Sequence, residues 1–300
     1  MLSPTVASPL KIAILGTGKI GSIFAFQLAR VGHHDVTVIA RPGSVRLQQL
    51  QRDEGIIDVN GERARVRIID TLDEETPYDL LIVTLLDHQI DAVLPSLQRS
   101  AANCVQFMFN TFRPEQLRDA VGAERCGFGM PFVQGLINSD GQLKAVIGEG
   151  QKTLMSLPRW VELFNGAGVP AEHEPDMPLW LRCHVPMCIA FESVAVAGER
   201  RGGGASWSTA LALARGVHAS FSLIKGLGYP IYPKFKKRLD GLPVPAVAAM
   251  LWSLSRNRSF REVLATGKAE CAALIEAMAA AATHAGRSDV VPTIRAMDPH

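Results

Sequence analysis

The chain has 300 residues, 47% apolar and 20% charged, with a formal net charge of +2; this is globular composition, with room for one large domain or two ordinary ones, and it excludes a bulk electrostatic pull toward nucleic acid or an anionic membrane surface. The five cysteines, Cys104, Cys126, Cys183, Cys188 and Cys271, are odd in number and form no C-x-x-C pair, which argues against a disulfide framework or a zinc ribbon and fits a reducing, cytoplasmic setting. The opening MLSPTVASPL lacks the basic and apolar regions of a signal peptide, and no apolar run as long as about 18 residues predicts a membrane span.

The first half alternates strand and helix signals. A short apolar run over 11–15 ends in glycines, and helical spacing follows over 20–31. A β-branched strand is predicted over 35–40, and a short helix over 45–51. Segments 55–60 and 63–69 flank Asn60-Gly61, a hairpin signal. A strand over 78–85, a helix over 89–99 and a strand over 105–109 complete a rhythm that predicts a parallel sheet with crossover helices. Residues 126–147 carry a second turn signal, Asp140-Gly141, and are expected to add antiparallel strands to the sheet; a helix over 158–167 ends before Gly168. From residue 179 strand signals fade. Helices are predicted over 180–197, 209–226, 243–254 and 267–285, which gives two domains, 1–172 and 173–300. The run Lys234-Phe235-Lys236-Lys237-Arg238 reads as a solvated helix face.

Gly16-Thr17-Gly18-Lys19-Ile20-Gly21 fits G-x-G-x-x-G after a strand and at the start of a helix, the context that the motif requires. The first glycine permits a tight turn, the second lets backbone approach a pyrophosphate, and the third lets helix and strand pack closely. The helix N-terminus offers free N–H groups to the phosphates. An NAD site would end its second strand in Asp or Glu, bonded to the ribose 2′-hydroxyl. Here that strand ends in Arg41, whose fork suits a 2′-phosphate. NADP(H) is therefore the expected cofactor, with Ser44 and Arg46 as secondary candidates.

These features resemble the ketopantoate reductase family. The likeness rests on the glycine loop, on Val38-Ile39-Ala40-Arg41, on Tyr78 to Thr84 and Gln89, on Asn110 after the strand over 105–109, on Leu179-Trp180-Leu181-Arg182, and on Glu270 before the last long helix. The resemblance implies a Rossmann domain followed by an all-helical domain of the 6-phosphogluconate dehydrogenase-like type, with the site in the cleft between them. It implies that Leu85 and Asn110 join Gly16 to Gly21 and Arg41 around the cofactor. It also implies an NADPH-dependent oxidoreductase that reduces a small 2-keto-acid-like carbonyl. Separately, the helical second domain offers a surface for a homodimer, and the charge and residue patterns lead us to expect no metal and no nucleic-acid or membrane partner.

The departures from the family lie mostly in the second half. The family's proton-donating lysine is Arg182 here, its two substrate asparagines are Pro186 and Ala190, and the residues after Thr84 are Leu85-Leu86 where the family often has a lysine. A guanidinium can polarise a carbonyl or clamp a carboxylate, but it holds its proton too tightly to be a good acid. His184 becomes the leading candidate for the acid, because free imidazole titrates near neutrality, and Glu270 is the second. His184 and Cys188 share a helix face and could instead bind metal, or simply be a buried pair. Glu192, on the same helix, is a candidate partner for Arg182 or Arg200, or for the substrate. Three readings follow: a reductase of this type for a carbonyl other than ketopantoate, a genuine 2-dehydropantoate 2-reductase that uses arginine, and a non-catalytic NADP(H)-binding redox sensor.

Overall fold

The computed structural model describes residues 8–148, 150–264 and 268–298. One compact unit holds the described residues up to Phe109 together with Glu115–Met177. Its strands are β1 (Lys11–Leu15), β2 (Asp35–Ile39), β3 (Ile56–Ile57), β4 (Arg63–Ala64), β5 (Arg67–Ile69), β6 (Leu80–Val83), β7 (Val105–Met108), β8 (Cys126–Met130), β9 (Gln134–Ile137), β10 (Leu143–Val146), β11 (Thr153–Met155) and β12 (Ala171–His173). Its helices are α1 (Lys19–Arg30), α2 (Val45–Arg52), α3 (Leu94–Arg99), α4 (Pro114–Val121) and α5 (Pro158–Gly166).

An eight-stranded sheet runs in the order β12-β11-β8-β7-β6-β1-β2-β5. Its central strands are parallel and their apolar runs are buried throughout, as covering helices on both faces require. The apolar stripe of α1, with Ile23, Phe24 and Leu28 fully buried, lies in the same core as α5; the Phe24 and Phe164 rings meet edge to face at 4.9 Å.

Three expectations change here. Asn60-Gly61 does turn a hairpin, but its arms are only β3 and β4; β5 leaves it to pair in parallel with β2. Residues 126–147 do not simply add antiparallel strands. The helix α4, which the sequence pattern did not reveal, acts as a crossover, so β8 returns parallel to β7. Only β11 runs antiparallel, while β9 and β10 form a separate two-stranded sheet. The helix predicted over 89–99 is a 3₁₀ turn, Asp87–Ala92, followed by α3. The break falls where Pro95, in the first turn of α3, has no N–H to give.

The second unit holds Asn110–Pro114 and the described residues from Pro178 onward. The division lies at Met177–Pro178 rather than at 172, because β12 pairs with β11 and extends the first unit. Its helices are α6 (Met177–Arg200), α7 (Trp207–Gly226), α8 (Lys234–Asp240), α9 (Val244–Leu254), α10 (Arg258–Leu264), α11 (Lys268–His284) and α12 (Val291–Arg295). The start predicted at Gly267 lies outside the described residues. By length and composition α6 is apolar enough to cross a membrane, but 78% of that stretch is buried; Val185, Ile189, Ala190 and Val194 sit in the core with Phe221 and Leu251. The helix runs on through Pro186.

Candidate functional site

In the first unit the glycine loop has the geometry its motif demands. Gly16 has φ +103°, a conformation that costs a side-chain-bearing residue strain. Its N–H donates to the Ile39 carbonyl at 3.2 Å, and its own carbonyl accepts from Thr84 Oγ1 at 2.7 Å. Gly21 packs onto that carbonyl so closely that a Cβ there would lie 1.9 Å from it. A Cβ at Gly18, by contrast, would meet nothing within 4 Å. Gly18 caps α1 without a side-chain hydrogen bond, and the first turn holds no acid, so the amides of that turn are left for an anion. Thr17 is buried, Ile20 half-buried and Lys19 exposed. Leu85 follows β6, with its Cδ2 placed 3.0 Å from a Cβ built on Gly16.

Arg41 stands past the end of β2 with an exposed side chain. Among the described residues it makes no hydrogen bond or ion pair. The two secondary candidates do other work. Ser44 caps α2 by accepting from the Leu47 N–H at 3.2 Å. Arg46 donates to the Gly141 carbonyl at 2.8 Å and to Ser22 Oγ at 3.1 Å, bracing the β9–β10 turn against α1.

In the second unit Arg182 is buried. Its Nη1 donates to the Phe112 carbonyl at 2.9 Å, and its guanidinium lies over the rings of Phe112 and Tyr229 at 5.2 and 4.4 Å. His184 takes a different position, stacked on Trp180 with centroids 4.4 Å apart. Lys236 Nζ stands 3.9 Å from the Trp180 ring centroid and donates to the Trp180 carbonyl at 3.1 Å. Burial first, and the Lys236 cation second, push the His184 pKa down to about 3. That downward shift disfavours the imidazolium form that a general acid at this position would need. Lys236 is a correction, because it is fully buried while its neighbours in the basic run are exposed.

A second group in this unit gathers around Asn110. Asn110, 6% exposed, donates through Nδ2 to Glu270 Oε1 at 3.0 Å and to Cys188 Sγ at 3.4 Å. The Cys188 thiol donates to Glu192 Oε1 at 3.6 Å, and the Cys271 thiol donates to Glu192 Oε2 at 3.2 Å. Burial, then the Glu270 charge, raise the Glu192 pKa to about 7, against the pull of the two thiols. Burial and the same carboxylates push both thiols up, so they remain protonated donors. Asn110 Oδ1 is buried and has no hydrogen-bond partner among the described residues. No three His, Cys, Asp or Glu side chains among the described residues are placed to hold a metal ion.

Two of the predicted residues, Asn110 and Glu270, are therefore in contact, while Arg182 and His184 have separate surroundings. The sequence reading missed Lys236, and it missed the Glu192 network. The available signals were the i, i+4 spacing of Cys188 and Glu192 and the adjacency of Glu270 and Cys271.

A mainly parallel sheet with the glycine loop after its first strand, joined to an all-helical unit, defines a Rossmann-type α/β protein. Residues 12–157, just under half of the chain, match the family described as Ketopantoate reductase PanE/ApbA. The chain is similar to the 2-dehydropantoate 2-reductase of Bacillus subtilis (strain 168), 34% identical over 104 residues. That match covers 34% of this chain and 33% of the relative, so about a third of the relative's length is spanned. Among solved structures, the PanE/ApbA family ketopantoate reductase from Ralstonia eutropha JMP134 has a TM-score of 0.72 at 16% identity, with 96% of each chain covered. A D-mandelate dehydrogenase solved with NADH has a TM-score of 0.69 at 16% identity, over 96% of this chain and 97% of that one. At those identities the likeness is one of fold. The family match ends at residue 157, ahead of Arg182, Pro186 and Ala190.

Proposed function

We propose that the chain is an NADP(H)-dependent reductase acting on a small 2-keto-acid-like carbonyl other than ketopantoate. The observation that carries this reading is the glycine loop: Gly21 is closed onto the Gly16 carbonyl, Gly18 is open, and Arg41 is exposed past β2. These residues fit the cofactor. Gly16 to Gly21 would hold its diphosphate, Arg41 its 2′-phosphate, and Leu85 and Asn110 would serve toward its nicotinamide end. When bound, the cofactor supplies a hydride to the carbonyl carbon. The chain's own task is to place that carbonyl, stabilise the charge that grows on its oxygen, and deliver one proton there. Arg182 offers fixed positive charge and Glu270 offers a carboxyl.

The substrate class is supported by the relatives, one named for a 2-keto acid and one for mandelate, a 2-hydroxy acid. A substrate other than ketopantoate is supported by Pro186 and Ala190, which lack the amides that hold substrate in the family. Losing a buried hydrogen-bond partner costs about 1–3 kcal/mol.

Fluorescence titration tests the cofactor. The protein should bind NADPH at least about tenfold more tightly than NADH, and Arg41→Glu should weaken NADPH about 10–100-fold while moving NADH little. Equal affinity for both dinucleotides, unchanged by the substitution, would overturn the assignment. A panel of 2-keto acids followed by NADPH absorbance tests the substrate, and ketopantoate turned over as efficiently as any other member would overturn that part. Tight NADPH binding with no turnover across the panel would favour the redox sensor instead.

A further inference from the structure

We infer that Arg182 is a positioning residue: it fastens the stretch Asn110–Pro114 to α6 through Phe112 and so fixes where the Asn110 side chain stands. This rests on the reductase reading for what Asn110 does. It gives the residue in the place of the family's lysine a task other than proton transfer.

Asn110–Pro114 belong to the helical unit, although 70 positions separate Phe112 from Arg182. One guanidinium holds Phe112 in two ways. Its Nη1 donates to the Phe112 carbonyl at 2.9 Å, and its carbon lies 5.2 Å from the Phe112 ring centroid. The Tyr229 ring packs on the same cation at 4.4 Å. Arg182 and Phe112 are both buried, and Phe112 is part of the helical core. A buried carbonyl needs a donor. A planar cation can give it one from its edge while its face lies on a ring, and a compact ammonium cannot do both.

Between this anchor and Asn110 the stretch is held as well. Thr111 is fully buried, and its Oγ1 accepts from the Arg113 N–H at 3.1 Å. Asn110 Nδ2 donates to Cys188 Sγ at 3.4 Å and to Glu270 Oε1 at 3.0 Å. Helix α6 therefore grips the stretch twice, through Arg182 and through Cys188. Sulfur is a weak acceptor, so the charged bond to Phe112 is the stronger grip. The pointer to a ligand is Asn110 itself: it is more than nine-tenths buried, and its Oδ1 has no partner among the described residues. An N–H or O–H of the cofactor or the substrate would satisfy that oxygen. Arg182 acts on it through the backbone of a single intervening residue, and a displacement of about 1 Å at such a group can cost about a hundredfold in rate.

The first test uses cofactor-free protein labelled with 15N-asparagine. The Asn110 side-chain amide signal is identified by its loss in Asn110→Ala. Arg182→Lys, which keeps the charge, should move that signal and speed its hydrogen exchange by about tenfold or more. Tyr229→Leu removes one ring at a half-buried position and leaves the carbonyl bond in place. It should move the signal the same way by less, and it serves as the measurement if Arg182→Lys does not fold. Arg261→Lys, at another buried arginine bonded to a backbone carbonyl, should leave the signal where it is. A signal unmoved by the Arg182 and Tyr229 substitutions, or moved equally by Arg261→Lys, would overturn the inference.

The second test is NADPH titration with steady-state kinetics. Arg182→Lys and Asn110→Ala should each weaken NADPH by about tenfold, and the double variant should lose no more than the weaker-binding single one, because both act through one group. Losses that multiply would overturn the inference. So would an Arg182→Lys protein with normal NADPH affinity and only a raised KM for the keto acid, since that pattern belongs to a residue that touches substrate. If NADPH does not bind at all, the amide signal still decides the fastening, so failure of the reductase reading is distinguishable from failure of this one.

Discussion

At Gly21 an added Cβ would lie 1.9 Å from the Gly16 carbonyl oxygen and 2.6 Å from Thr84 Oγ1, while the same addition at Gly18 meets open space. The two glycines of one motif therefore fail differently. Gly21→Ala should destabilise the protein by about 1–3 kcal/mol or more, because the helix must move off the loop. Gly18→Ala should melt within a degree or so of wild type, its φ of −67° being ordinary for alanine, yet bind NADPH at least about tenfold more weakly, because the methyl stands where a pyrophosphate approaches. Thermal melts beside cofactor titrations check both; a Gly18→Ala protein that binds normally would remove the diphosphate from this loop. This part of the site was readable from sequence because its parts lie within six neighbouring residues and each spacing has a local cause. Glu192 was not readable in the same way: its partner Cys271 is 79 positions away, and only the packing of α6 against α11 brings them together.

Helix α8 shows where pattern reading stops. Five residues with four cations look like a solvent face, but in a seven-residue helix Lys236 and Leu239 share the buried side. The Lys236 ammonium finds its energy in the Trp180 ring and carbonyl rather than in water. Lys236→Ala should cost about 2–4 kcal/mol in urea unfolding, since a cation–π contact and a charged hydrogen bond are lost together. It should also raise the pKa of His184, read by the NMR shifts of its ring protons; no change in either would show that the contact has no energetic weight. The opposite error occurred at α4, whose short amphipathic turn fell below the length at which periodicity is visible. Missing it reversed the expected direction of β8, since a crossover helix is what makes successive strands parallel. Strands β1, β2, β6 and β7 were legible because their buried apolar runs are bounded by turn residues.

For the molecule as a whole, two groups push stability in opposite directions with pH. His184 titrates at about 3 when folded, against an ordinary 6.5. Between those values the unfolded chain binds a proton that the folded chain refuses, so this group removes stability as pH falls. Glu192 titrates at about 7 when folded, against an ordinary 4.5. In that window the folded chain binds the extra proton, so its contribution is full below 4.5 and is lost as pH rises toward 7. The two partly cancel in the wild type. His184→Phe, which keeps the stack on Trp180, should leave a urea midpoint that falls with pH across this window, and Glu192→Gln should leave one that rises. Parallel curves for both variants would contradict the opposed assignments.

Because Arg46 is committed to Ser22 and Gly141, it is withdrawn from duty as a second anchor for the adenosine ribose. On the proposed reading, Arg41 would then be the one of the three candidates left to meet a 2′-phosphate, since Ser44 caps α2. An attempt to exchange one cofactor for the other would then begin at that single position, with the hairpin and its fastening left as they are.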